Sequence, residues 1–169
     1  MSIHQYTDIF NEQQIDTIWK HLTEPNWEFW HTSNQVAPNF FWYMELKDCP
    51  FFTKDLFSEI KKLIGNNFYI ESVYANGQTF GLDGEFHIDD NDSNAYTFLY
   101  YPMKQWNLSW GGETVILDSD GIINSIYPTP NTAIMFPGNW LHCGRAPSKS
   151  FTDLRITIAY KLKNETQLS

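Results

Sequence analysis

The sequence predicts a mainly β fold, a sandwich or jelly-roll barrel, with two flanking helices ahead of it. Three observations predict this. From Phe68 to Leu162, short strand-like runs alternate with turn signals. Aromatic residues make up 17% of the chain, and rings suit a pleated, half-buried surface. Before Phe68, two segments instead carry apolar residues at helical spacing. The 169 residues suffice for one core, and no linker, repeat or low-complexity tract divides them. One domain over residues 1–169 is therefore expected, with residues 1–67 supporting a barrel core at 68–163.

The first helix is expected in "FNEQQIDTIWKHL". Ile15, Ile18, Trp19 and Leu22 form its stripe, and Asn11 is placed to cap it. "WEFWHTS" and "FFWYMEL" read as the strands of a hairpin. "FFTKDLFSEIKKLIGNN" reads as the second helix, with Leu56, Ile60, Leu63 and Ile64 as its stripe, Thr53 as cap and Gly65 as its end. Eight strands follow: "FYIESVYA", "GEFHID", "AYTFLYY", "ETVIL", "GIINSIY", "TAIMF", "WLHCG" and "LRITIAYKL". Between them lie the turns "NGQ", "DDNDSN", "WGG", "DSDG", "PTPN" and "FPGN".

Composition narrows the function. The net charge of −9 and pI near 4.8, with no basic stripe, make nucleic acid and anionic membranes unexpected partners. Cys49 and Cys143 lie far apart without CxxC spacing, so no disulfide framework is expected. The start "MSIHQYTDIFNEQ" lacks the regions of a signal peptide, and no apolar run approaches the ~18–20 residues that span a bilayer. A cytoplasmic chain is the expectation.

"EFHIDDND" carries the chemistry. His87 and Asp89 share parity, so on a strand both side chains leave one face. His142, in "PGNWLHCGR", can supply a third ligand. Two imidazoles and a carboxylate form the facial triad that suits Fe(II) and leaves positions open, and the lack of thiolates argues against structural zinc. Taken alone, the His-x-Asp also reads as a satisfied histidine beside an Asx turn. An EF-hand loop starting at Asp90 fails, because Ala95 and Tyr101 stand where Gly and Glu are required. Asp90 and Asp92 read as turn residues. On the last strand, Arg155 and Thr157 share one face and Ile156 and Ile158 the other. Arg155 reads either as a surface partner of Asp153 or as an inward, bidentate grip on a dicarboxylate, helped by Thr157.

These residues, with "YANGQTFGLDGEFHIDD", "YTFLYYPMKQWNLSWGGETVI", "FPGNWLHCGRAP" and "LRITIAYKL", give the segment from about Tyr74 to Leu162 its resemblance to the Fe(II)- and 2-oxoglutarate-dependent dioxygenases, prolyl 4-hydroxylase-like branch. The resemblance implies a double-stranded β-helix (jelly-roll) core. His87 and Asp89 would end its second strand, His142 would lie on the seventh and Arg155 on the eighth. It implies that His87, Asp89 and His142 bind Fe(II), and that Arg155, Thr157 and Tyr101 bind the C5 carboxylate of 2-oxoglutarate. The pair Gly111 and Gly112 before the next strand is typical of the family. O₂ is the further co-substrate and ascorbate a reductant. Compact proteins of this pattern occur in bacteria and phages. Collagen-type relatives carry Lys where this chain has Arg155, which brings it nearer the oxygen-sensing and microbial ones. The interval from His142 to Arg155 is longer than in several relatives, so "RAPSKSFTD" must bulge; Arg145 is the fallback anchor.

The resemblance makes a prolyl residue in a peptide or protein the expected substrate, hydroxylated with release of succinate and CO₂. Trp42, Tyr43, Trp106 and Trp140 are candidates to stack on its ring, and Leu99 and Ile116 to form a dry wall. The histidines must be neutral to ligate, so activity is expected to fall below about pH 6. Retention of Asp89 argues against a halogenase. The alternatives are an oxygenase of a free amino acid or other small metabolite, and a non-catalytic jelly-roll binding module, which would lack a ligand or the anchor cation. A nucleic-acid demethylase would want a basic surface and a second arginine on the last strand, where only Lys161 and Lys163 follow Arg155.

Overall fold

The computed structural model describes residues 2–32 and 39–165. Its first strand, β1 (His4–Tyr6), was not foreseen; it lies on β8 at the sheet edge. Helix α1 (Glu12–Leu22) starts as expected: the Asn11 side chain accepts from the Gln14 backbone while the Gln14 side chain accepts from that of Asn11. Strands β2 (Glu28–His31) and β3 (Phe41–Glu45) pair as the expected hairpin. The last residue of "WEFWHTS", Ser33, lies outside the described residues.

The second helix departs from expectation. Phe51–Leu56 form a wide π-type turn before α2 (Phe57–Ile64). Thr53 is no cap; its hydroxyl donates back to the Cys49 carbonyl at 3.1 Å, the competing bond open to a threonine inside a helix. Leu63 is exposed, and Phe52, Leu56, Phe57 and Ile60 are buried in its stead, because the wider turn rotates the apolar face. Gly65 ends the helix at φ 98°.

The barrel strands are β4 (Phe68–Gln78), β5 (Ala95–Tyr101), β6 (Thr114–Leu117), β7 (Ile123–Ile126), β8 (Thr132–Pro137), β9 (Leu141–Gly144) and β10 (Arg155–Asn164). Among the described residues they form two antiparallel sheets, ordered β1-β8-β5-β10-β4-β3-β2 and β7-β6-β9. The expected strand "GEFHID" is reduced to one bridge, His87 with His142. Gly84 also bonds to Gly144, one residue out of step with that bridge, so no continuous ladder forms. The segment still lies along β9, and the two sheets face each other as a jelly-roll.

The larger sheet is covered on both sides. Ile156, Ile158, Tyr160 and Leu162 of β10 join Val73, Ala75, Phe98 and Tyr100 in a cluster with Ile18, Leu22, Phe52 and Ile60 of the helical segments. The other face packs Leu99, Tyr101, Ile134, Phe136 and Ala159 against Ile116 and Ile126 of the smaller sheet. Period two thus sends Arg155, Thr157, Ala159 and Lys161 into the barrel. The loop "RAPSKSFTD" does bulge: Ser148 bonds to the Trp110 carbonyl, and Phe151 packs on Trp106 and Trp110 at 4.7 and 4.9 Å.

Ile158 is buried at 1% exposure and faces the helices. Ile158→Ala should cost about 2–5 kcal/mol in chemical denaturation, with metal binding by the folded protein unchanged.

Candidate metal centre

His87 and His142 face each other across reciprocal backbone bonds of 3.0 and 2.9 Å. Each ring is oriented by its own chain. His87 Nδ1 donates to the Glu85 carbonyl at 2.9 Å, and His142 Nδ1 to that of Trp140 at 2.8 Å. A carbonyl only accepts, so the proton sits on Nδ1 and each Nε2 presents a lone pair. Both Nε2 atoms face the Asp89 carboxylate, His87 at 3.3 Å from Oδ1 and His142 at 3.3 Å from Oδ2. The three donor atoms lie within 4.8 Å of one another. Burial, opposed by Asp89, lowers the His142 pKa, which favours the neutral, ligating imidazole. Two lone pairs facing a carboxylate repel unless a cation lies between them, and an N₂O donor set of this kind suits Fe(II).

Asp89 is held from behind. The Thr97 hydroxyl and the Lys161 ammonium both donate to Oδ2, and Lys161 also reaches Thr97 Oγ1 at 3.3 Å. Burial works to raise the Asp89 pKa, but the Lys161 ammonium beside it holds it far below the ordinary carboxylate range. Burial likewise works against the Lys161 ammonium, and Tyr74 and Asp89 more than offset it. With Oδ2 taken by two donors, Oδ1 is the oxygen free of them.

At the other end of the inward row, Arg155 is 1% exposed. Its Nε donates to the Gly112 carbonyl at 2.7 Å and its Nη1 to Gln78 Oε1 at 2.8 Å. Its Nη2 is buried without a partner. Burial pushes its pKa down to about 10, so it stays charged at neutral pH. Gln78, directly opposite Arg155 in the β4–β10 register, is itself fixed by bonds to the Leu82 and Gly144 carbonyls at 2.8 and 3.0 Å. Gly112 lies at φ 78°, and a Cβ there would come within 3.0 Å of Arg155 Cδ, Nε and Trp106. Tyr101 donates to Thr114 Oγ1 at 2.9 Å, and burial raises its pKa to about 12.

One cavity of about 250 Å³ joins the two ends, with Arg155, Thr157 and Thr114 in its lining as well as His87, Asp89, His142 and Lys161. Asn76, also in the lining, has a buried Oδ1 without a donor. The structure thus brings His87, Asp89, His142, Arg155 and Thr157 to one space, with Tyr101 beside it. Arg145 is exposed, its guanidinium over the Phe86 ring at 5.5 Å. Asp153 accepts from the Leu154 backbone, and the hydrogen bonds of Arg155 go to Gly112 and Gln78 instead. Asp90 and Asp92 accept backbone N–H bonds two residues on, as turn residues do, and both also accept from Lys163 at 2.7 Å.

The expected ring-stacking residues are corrected. Trp42, Tyr43, Trp106 and Trp140 do not line the cavity; His31, Phe41, Tyr74 and Phe136 do. Trp106 is tied by its indole N–H to the Gly111 carbonyl at 2.9 Å, Trp140 belongs to the inner apolar cluster, and Tyr43 stacks behind His31 at 4.2 Å. Leu99 lines the cavity, and Ile116 packs in the cluster behind it. Gln78, Asn76, Thr97 and Lys161 were missed. Lys161 carried a legible signal, since it shares parity with Arg155.

Residues 72–160 match the family model described as the 2OG-Fe(II) oxygenase superfamily. No curated protein matches the chain. Among solved structures, an oxidoreductase of the 2OG-Fe(II) oxygenase family from Burkholderia pseudomallei has a TM-score of 0.75 at 12% identity, covering 95% of this chain and 84% of its own. A prolyl hydroxylase from Trichoplax adhaerens, in complex with a hypoxia inducible factor oxygen degradation domain peptide fragment, has 0.72 at 17%, covering 96% and 84%. The non-heme alpha ketoglutarate dependent epimerase SnoN from nogalamycin biosynthesis has 0.70 at 10%, covering 96% and 77%. At these identities the likeness is one of fold.

Co(II), titrated as a spectroscopic probe, should bind wild type at one equivalent. Asp89→Ala should lose at least about tenfold in affinity, with its thermal midpoint showing that it still folds.

Proposed function

The chain belongs to the 2OG-Fe(II) oxygenase superfamily, and from that premise we propose that it hydroxylates a C–H bond of a prolyl residue in a peptide or protein. His87, Asp89 and His142 would hold Fe(II). Bound there with 2-oxoglutarate, the metal supplies the oxidising chemistry: one atom of O₂ enters the substrate C–H, and the other enters succinate as CO₂ is lost.

The observation that carries the reading is the unpartnered Nη2 of Arg155. A fully buried guanidinium with one donor unmet is costly unless an anion completes it. It opens on the cavity that also holds the triad. The terminal carboxylate of 2-oxoglutarate suits it, with Thr157 and the Tyr101–Thr114 pair adding polar contacts. Gly112 and Gln78 keep the guanidinium in place. The Nδ1 bonds of both histidines hold their Nε2 lone pairs toward the metal position, and Leu99, Phe136 and Ala159 exclude water from it.

The prolyl assignment is supported by the fold shared with a prolyl hydroxylase and by the rings of His31, Phe41 and Tyr74 in the cavity lining. A second reading, a free amino acid or other small metabolite, is favoured by the modest volume of the cavity and by a lysine at its metal end.

Anaerobic titration with Fe(II) and 2-oxoglutarate should give the weak visible charge-transfer band of the chelate. Asp89→Ala should abolish it, and Arg155→Ala should need about 10- to 100-fold more 2-oxoglutarate. Gly112→Ala, whose added methyl would press on Arg155 and Trp106 at a left-handed position away from the triad, should weaken 2-oxoglutarate binding in the same direction while leaving Co(II) binding intact. A wild-type protein that binds neither ligand would return the barrel to the reading of a non-catalytic binding module.

A further inference from the structure

Lys161 is a second cation on the inward row, and the co-substrate leaves it without a counter-charge. Among the described residues lining the cavity, the permanently charged side chains are Asp89, Arg155 and Lys161. The two cations stand six positions apart on the strand, about 20 Å at ~3.3 Å per residue, so the carboxylate that Arg155 holds is not the one beside Lys161. In the oxygenase reading proposed above, on which this inference rests, the metal takes the charge of Asp89. The two carboxylates of 2-oxoglutarate are met by the metal and by Arg155. Lys161 then remains as one uncompensated positive charge beside the metal position, with its side chain 17% exposed.

Nearby acids do not take up that charge. Asp90 and Asp92 are bonded to Lys163 at 2.7 Å, and Glu71 lies 4.0 Å from the same ammonium. The remaining neighbours of Lys161 are the Thr97 hydroxyl and Tyr74, whose side chain is hydrogen-bonded to the ammonium and whose ring centroid is 5.7 Å away. A buried ammonium is costly without an anion, and once the metal draws on Asp89 the other partners of Lys161, Thr97 and Tyr74, are neutral hydroxyls.

We propose that the substrate presents a free carboxylate beside the reacting carbon and that Lys161 receives it. The substrate class is then a free amino or imino acid, or the C-terminal residue of a peptide. Lys161 is a specificity-determining residue in this assignment: it narrows the prolyl substrate proposed above to one whose carboxylate is free, as in proline itself or a C-terminal prolyl residue.

The test uses the full chain loaded anaerobically with Fe(II) and 2-oxoglutarate, reading the change in the visible band as compounds are added. The probes are the twenty free amino acids, L-proline against L-prolinamide, and glycyl-L-proline against its C-terminal amide. Wild type should bind at least one free acid about tenfold or more tightly than its amide. In Lys161→Met that ratio should fall to within about twofold, and in Lys161→Arg it should be retained. Because the ratio compares two compounds on one protein, any change in metal affinity cancels. Preference for the monomeric acid or for the dipeptide separates the two sources of the carboxylate. The proposal is overturned if acid and amide bind equally, if no free acid binds, or if the acid preference survives Lys161→Met. It is also overturned if Lys161→Met weakens 2-oxoglutarate binding and leaves the acid preference alone, since Lys161 would then serve the co-substrate. Failure of the oxygenase reading is distinct: the wild-type band would be missing before any acid is added, and both readings would fall together.

Discussion

The alternation of β10 is the constraint on which the rest of the structure depends. One residue of each pair faces the helices and the other faces the barrel interior, so a single strand is an apolar surface and a row of polar groups at once. Ile156, Ile158, Tyr160 and Leu162 are each exposed by 3% or less. A one-residue slip would drive them into the cavity and push Arg155 and Lys161 into the apolar layer under the helices. The burial on the helical side therefore holds the two cations in place on the other. The β4 and β5 ladders on either flank of β10 enforce the same register.

That arrangement tolerates charges which would otherwise be expelled. The anchor guanidinium gives one donor to a carbonyl and one to an amide, neither of them ionised, and its third nitrogen has no partner. The carboxylate of Asp89 is the reverse case, surrounded by donors and by two imidazole lone pairs. An interior that leaves a cation under-satisfied at one end and gathers electron-pair donors at the other is organised for an anion and a metal ion. Stability alone does not ask for this, because well-packed apolar residues at these positions would serve it as well or better.

Much of this was legible in the chain. The first helical stripe, most of the strand runs, the triad types and the face that Arg155 shares with Thr157 follow from spacing. The second strand of the barrel was misread as regular, because its pattern does not show that Gly84 and His87 meet β9 out of step. Thr53 was misread as a cap, because a threonine near a helix start can equally bond back to a carbonyl. The four aromatics expected around the substrate were misread for another reason. An aromatic side chain packs wherever its indole or ring finds a partner, and Trp106 and Trp140 found theirs elsewhere.

By itself the sequence determined which residue types share a face, because the two-residue and 3.6-residue periods are properties of the local backbone. It determined the chemistry on offer as well: two imidazoles, a carboxylate and a guanidinium on the strand face opposite the isoleucines. Only the tertiary structure decided which groups meet. Gln78 reaches Arg155 across 77 residues and Lys161 reaches Asp89 across 72. Such pairings are set by strand order and register over the whole barrel, and no local pattern encodes them.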